Sequence, residues 1–322
     1  MDRITKLLMV GNVAVLAALL AGCDEDYAGA DEEDLGAVHL RPGSGAGGVW
    51  LNTNAIGTHA FSEIDLKAAP HDGVRMVKVS IPGPNATWLD LDKIEFDAGG
   101  QLRGKRGTTQ YKGAGLVGSK WDLKLIQSTT ETPATMSITA YEEAEPGEFR
   151  YTFHYTDVSG NQVPMCDPDP QGDIAAVPIK NITVDDVNGQ VTSRADTLYL
   201  ACTSGAVGKA VDWGYKPWKR SIDEFEAAIR MVRADYCYDG MSWTTPGTAI
   251  EVRDRWAIND FINVTHPTEA VWSKNVLRCL GTERSTLYGA VTCNGAPVPA
   301  CPQNVSLTTW GDALFWLKLD PQ

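Results

Sequence analysis

Three sets of residues in this chain have the types and spacing to do chemistry. The first is Asp235, two positions before Cys237 at the end of a helical stretch. A carboxylate withdrawn from water there could act as a general base. A negative charge is unfavourable at a helix C-terminus, so Asp235 needs a partner such as Arg230, Arg233 or backbone donors. With such a partner the same residue would fix the helix exit instead of moving protons. The second set is Asp167, Asp169 and Asp173, in Cys166-Asp-Pro-Asp-Pro-Gln-Gly-Asp173. Three carboxylates on one loop suit a hard cation such as calcium, but the fifth-position oxygen and closing glutamate of a calcium loop are missing. An acidic, proline-stiffened loop is the simpler reading, and no other metal is expected. The third set is Trp213, Tyr215 and Trp218, close together in Trp213-Gly-Tyr-Lys-Pro-Trp218. Such rings stack on sugars and anchor protein interfaces, so this cluster is the candidate exposed aromatic face.

Other chemistry lacks its residues. The histidines, His39, His59, His71, His154 and His266, are dispersed and form no zinc-type pair; there is no Cys-x-x-Cys, no Gly-x-Ser-x-Gly elbow and no Walker loop. No cofactor is expected. A net charge of −13 argues against nucleic acid as a partner. Of seven cysteines, Cys166, Cys202, Cys237, Cys279, Cys293 and Cys301 all follow residue 160. In an oxidising compartment these six suggest up to three disulfides, which leaves no thiolate nucleophile. Their pairing is open, with Cys293 and Cys301 the easiest local pair. Most of the ten tryptophans are expected in the core.

The seventh cysteine belongs to an address. Arg3 and Lys6, the apolar run Leu7 to Leu20 and then Leu20-Ala21-Gly22-Cys23 resemble a bacterial lipoprotein signal peptide, residues 1–22, ending in a lipobox. The run is shorter than the roughly 20 residues of a spanning helix. The resemblance implies lipidation of Cys23, cleavage before it, and anchorage of the exported chain to a membrane. Residues 23–48 carry Asp24-Glu25-Asp26, Asp31 to Asp34 and Gly43 to Gly48, the composition of a flexible acidic spacer. The expected location is the cell envelope outside the cytoplasm, at the outer membrane or cell surface rather than the inner membrane. Under that address the four Asn-x-Ser/Thr patterns are coincidental.

The elements that hold the candidate residues divide the chain again. Residues 49–145 have no cysteine and alternate in short strands, with Val74 to Ile81, Trp88 to Phe96 and Trp121 to Ile126 the clearest. Asp97-Ala-Gly-Gly100 signals one hairpin, and Glu145-Pro-Gly147 a second between Thr135–Tyr141 and Glu148–Tyr155. This half is expected to be a β-sandwich or open barrel. Residues 146–322 hold the cysteines and one main helix. Ser221-Ile-Asp-Glu224 is a capping box, and Ile222, Phe225, Ile229 and Val232 follow at helical spacing, predicting a helix from Ile222 to about Asp235. The class is α+β, mostly β.

Arg233-Ala-Asp-Tyr-Cys237, followed by Asp239-Gly240 and Gly247-Thr248, resembles the signature of the ADYC domain family, known mainly from myxobacterial envelope proteins. Ala201-Cys202-Thr203 and the Trp213–Trp218 cluster upstream resemble it too, so the likeness runs from about Phe149 to Cys301. The resemblance implies that Ala210 and Ala228 stand where relatives often have cysteines. It brings no active site. The expected function is a non-enzymatic binding or structural module, with an envelope protein or glycan as partner; the alternative is an extracytoplasmic hydrolase acting on an envelope polymer.

Overall fold

The computed structural model describes residues 49–245, 247–285 and 289–320, so the signal-like segment, Cys23 and the spacer lie outside the described residues. Strands β1 (Ala55–Ile56) and β2 (His59–Ala60) make a short ladder. Strands β3 (Glu63–Asp65), β4 (Val74–Pro82) and β5 (Trp88–Asp90) enter the main sheet; β6 (Lys93–Phe96), β7 (Leu102–Arg106) and β8 (Thr109–Lys112) form a separate meander. The main sheet resumes with β9 (Lys120–Gln127), β10 (Thr130–Glu145), β11 (Glu148–Thr156), β12 (Gln162–Pro164), β13 (Ala175–Val184) and β14 (Val191–Cys202). Helices α1 (Ala206–Asp212) and α2 (Ile222–Arg233) follow, then β15 (Ile250–Asp254), β16 (Thr268–Trp272), β17 (Leu277–Leu280), the ladder β18 (Thr292–Cys293) and β19 (Ala296–Pro297), and β20 (Phe315–Leu319).

The main sheet is open and antiparallel, in the order β3-β14-β13-β11-β10-β9-β4-β5, with β12 beside β11. Both predicted hairpins form: β6 pairs β7 across the Asp97–Gly100 turn, and β10 pairs β11 across Pro146-Gly147, where Gly147 takes the left-handed backbone (φ +78°) the turn needs. The division expected after residue 145 therefore falls inside a hairpin, and one sheet runs across it. The stretch Trp88–Phe96 is not one strand. Leu91 N–H donates to Val79 and Asp92 N–H to Lys105, so the chain leaves the main sheet for the meander between them.

Strand β14 shows why the layers stack as they do. Leu198, Leu200 and Cys202 face a core shared with Trp121, Phe153 and the meander residues Ile94, Phe96 and Leu102; Tyr199 and Ala201 face the helices. Side chains alternate with period two, so a strand covered on both sides reads as a continuous buried run. Beyond the helices, the four-stranded sheet β15-β20-β16-β17 closes the second core with Trp272, Phe315 and Leu317. The fold is α+β and mostly β. Helix α1 went unpredicted, since Gly208 interrupts its pattern. A Cβ there would lie 2.1 Å from the Cys202 carbonyl oxygen, so close packing requires the glycine.

Three disulfides form: Cys166–Cys202, Cys237–Cys293 and Cys279–Cys301. The local pair Cys293–Cys301 is corrected. Residues 299–301 run alongside β17, with Leu280 N–H donating to Pro299 and Cys301 N–H to Leu280, which sets Cys301 beside Cys279 and leaves Cys293 for Cys237. Disulfides of this number are those of a protein outside the reducing cytoplasm. Among the described residues no helix is long and apolar enough to cross a membrane.

Candidate functional site

Helix α2 starts as its sequence dictates. Ser221 Oγ accepts the Glu224 N–H, and the Glu224 carboxylate accepts the Ser221 N–H. Its exit is built from the signature residues. Ala234 takes the left-handed conformation (φ +52°), which turns the chain and lets Asp235 N–H donate to the Arg230 carbonyl. The Asp235 carboxylate, wholly buried, accepts from Arg230 Nη1 at 2.6 Å and from the N–H groups of Asp239 and Gly240, each at 3.1 Å. Burial pushes its pKa up to about 6 against the pull of Arg230. Tyr236 stacks on Trp272 at 5.6 Å and donates its hydroxyl to Glu269. Cys237 is tied to Cys293. Arg284 completes the exit. It pairs with buried Glu269 at 2.7 Å and donates to the carbonyls of Met231 and Val232 in the last turn of the helix, the first of which also accepts the Ala234 N–H. Both carboxylates of the exit, Asp235 and Glu269, have fixed partners, and neither faces solvent.

Two other places open. Trp218 is 42% exposed. Lys219 N–H donates to the Lys216 carbonyl, so Pro217 and Trp218 are the central residues of a turn, and proline suits the first of those positions. The turn is pinned from below: Lys216 Nζ, nearly buried, pairs with Glu145 and Glu148 at 2.9 Å each, at the tip of the β10–β11 hairpin. Trp218 and Pro217 wall a cavity of about 470 Å³ whose other sides are the Asp97–Gly100 turn, Pro178 to Ile182, and Ile222 and Phe225 at the start of α2.

The second opening holds titratable groups that the sequence reading passed over. The chain between β3 and β4 folds back so that His71 Nε2 lies 2.5 Å from Glu63 Oε2, while Asp72 accepts the N–H groups of Ser62 and Glu63. Glu63 Oε1 accepts the Val184 N–H at 2.8 Å. All three side chains line a cavity of about 340 Å³ with Thr183, Asp185, Asp186 and Thr192. Burial is the main cause of each shift: Glu63 is pushed up to about 7 and Asp72 to about 6, while His71 is lowered. A carboxyl and an imidazole in hydrogen-bond contact can exchange a proton, which is the elementary requirement of acid–base chemistry. A signal was present in the sequence: Glu63, His71 and Asp72 lie within ten residues, though without a recognised spacing.

The profile of the ADYC domain matches residues 113–286. The chain belongs to the ADYC-domain family. No curated protein and no solved structure matches it. The ADYC match begins earlier than Phe149, where the resemblance was first legible, and ends before Cys293 and Cys301. It contains β9 to β17 and both helices, so it includes the α2 exit and Trp218 and leaves out Glu63, His71 and Asp72.

Within the ADYC domain the remaining candidates separate. Tyr215 is no part of an exposed face. It is wholly buried, its ring 4.9 Å from that of Phe315 and its hydroxyl bonded to Asp254 and Asn259. Trp213 is half-buried and opens on a different cavity, of about 260 Å³, beside Asn259 and Ile262. Asp167, Asp169 and Asp173 build no calcium loop: Asp169 Oδ1 accepts the N–H groups of Gln171 and Asp173 and so serves its own turn. Among the described residues no group of three His, Cys, Asp or Glu side chains is placed to hold a metal ion. Ala210 and Ala228 are both buried, on α1 and α2 respectively, within the core the two helices share.

Proposed function

We propose that this ADYC-domain protein is a lipid-anchored, myxobacterial-type protein of the bacterial envelope that works by binding rather than catalysis. The Leu20–Cys23 lipobox supports the anchor, the acidic stretch behind it supports a spacer, and the disulfides fit the compartment. One observation carries the binding role: an exposed indole on a rigidly pinned turn walls a cavity edged by polar backbone, while the acid of the family signature is sealed. The ligand is an envelope glycan or a partner protein that presents one. Titration of the mature chain with muropeptides and polysaccharide fragments, followed by indole fluorescence, is expected to show binding without turnover that Trp218→Ala abolishes. Release of cleaved product by the wild type would overturn it. For the anchor, Cys23→Ala is expected to move the protein from the detergent to the aqueous phase.

A second reading, an extracytoplasmic hydrolase of envelope polymers, draws on the Glu63–His71 contact at the mouth of its cavity. Cleavage of such a polymer with a rate that Glu63→Gln removes would favour it.

A further inference from the structure

The Trp218 cavity does not end at α2. Lys180 and Asn181 line it and also line a neighbouring cavity of about 350 Å³, whose far side is Lys67 and strand β6. The two together follow β6 and its turn on one side and β13 on the other, a groove with an indole at one end. At the shared wall the β13–β14 pairing slips: the register shifts between Lys180 and Ile182, and Asn181 (φ +58°) and Asp196 (φ +57°) both take the left-handed backbone. The Asn181 side chain accepts the Asp196 N–H, which holds the irregularity in place. Paired non-glycine residues in that region are strained, and the slip aims Lys180 outward between the cavities.

The charge of this groove runs against that of the chain. Its lining residues and their ion-pair partners are six cations, Lys67, Lys93, Arg103, Lys105, Lys112 and Lys180, against three carboxylates, Glu95, Asp97 and Asp196. Glu95 alone is contacted by Lys93, Arg103 and Lys105, and Lys105 and Lys93 hold its pKa down at about 2. Among the described residues Lys180 makes no ion pair. The lining alone is balanced, Lys67, Lys93 and Lys180 against Glu95, Asp97 and Asp196; the excess comes from Arg103, Lys105 and Lys112 on the adjoining strands. In a protein of net charge −13 that local excess, with Lys180 unpaired between the cavities, favours an anionic ligand.

Resting on the binding role proposed above, we infer that the groove takes an extended acidic oligosaccharide, one sugar stacked on Trp218 and the carboxylates of its uronate units at Lys180 and beyond. Stacking on an indole supplies affinity for the sugar plane, and the lysines select the charged polymer.

Calorimetry of the mature chain with oligogalacturonate and with a neutral cello-oligosaccharide of equal length tests this. The uronate chain is expected to bind at least about tenfold more tightly, to weaken as salt is raised, and to lose several-fold affinity in Lys180→Ala, whose fold circular dichroism would confirm. Equal affinity for both chains, dependent on Trp218 and indifferent to Lys180, would overturn the acidic ligand and leave the binding role standing. Failure of every saccharide to bind would overturn both.

Discussion

Asp235 and Glu63 are both acids that burial shifts towards neutral pH, and they are buried in opposite ways. Asp235 faces an arginine and two backbone N–H groups and is sealed from solvent. Glu63 is held by one backbone N–H and one imidazole, with a cavity in front of it. Every letter of the family signature serves the first arrangement: a left-handed alanine, a capping aspartate, a stacked tyrosine and a disulfide cysteine. Glu63, His71 and Asp72 lie before residue 113, outside the matched segment. In this chain the signature residues thus fix how α2 leaves the core.

The largest effect that could break this contrast is at Asp235. Asp235→Ala leaves Arg230 with Glu226 as its one remaining carboxylate and two backbone donors uncapped, and removing one side of a buried ion pair costs up to about 3–5 kcal/mol. Urea denaturation is expected to show a loss in that range or outright failure to fold. A stable variant that had lost a biochemical activity would instead make Asp235 a working residue.

How far these two regions were legible from the sequence differs for a physical reason. The α2 exit rests on local signals. Ser221 and Glu224 cap one end, apolar residues recur at helical spacing, and the charge of Asp235 at the other end demanded a partner, which Arg230 supplies. The Glu63 region depends on a three-residue strand, β3, and on a fold-back that only the pairing of Glu63–Asp65 with Thr197–Tyr199 creates. No periodicity of Glu63–Asp65 itself announces that pairing. The disulfides behave likewise. Cys293 and Cys301 are close in sequence, yet the strand register that places each beside its partner is a property of the whole sheet. Tyr215 was misread because its neighbours on either side, Trp213 and Trp218, do open to solvent, whereas its own hydroxyl is satisfied by Asp254 and Asn259 inside.

A second, smaller effect sharpens the contrast. The Cys237–Cys293 bond closes the signature region and is half-exposed, whereas Cys166 and Cys202 are both buried. Replacing Cys237 and Cys293 by serine together is expected to lower stability by about 2–4 kcal/mol, measured by thermal melting. In the wild type this bond is expected to be the first reduced by a limiting dithiol, as mass mapping of alkylated cysteines would show. Earlier reduction of Cys166–Cys202 would mean that the β3–β14 side of the molecule opens more readily than the α2 exit.

The smallest effect has the opposite sign and is read at Glu63. A carboxyl whose pKa is raised by folding holds its proton more tightly in the folded state, so its contribution to stability is present below the unfolded value and is lost as pH rises through the folded one. For Glu63 that window runs from the ordinary value of 4.5 to about 7. Asp72, pushed up to about 6, adds loss of the same sign at lower pH, whereas His71, kept neutral by burial, works the other way. The neighbours Asp186 and Arg194 also act on Glu63, raising and lowering its pKa respectively. Glutamine at position 63 retains an oxygen for the Val184 N–H and an amide N–H for His71, and it cannot ionise. Glu63→Gln is therefore expected to match the wild type near pH 4.5 and to exceed its stability at pH 8 by about 1–3 kcal/mol. The pH dependence of the melting temperature, compared between the two proteins, reads this directly. A stabilising glutamine would show that the native acid is kept at a cost to the fold, which selection maintains at sites that use a proton. Equal or lower stability of the variant at pH 8 would make Glu63 as structural as Asp235 and erase the difference between the two regions.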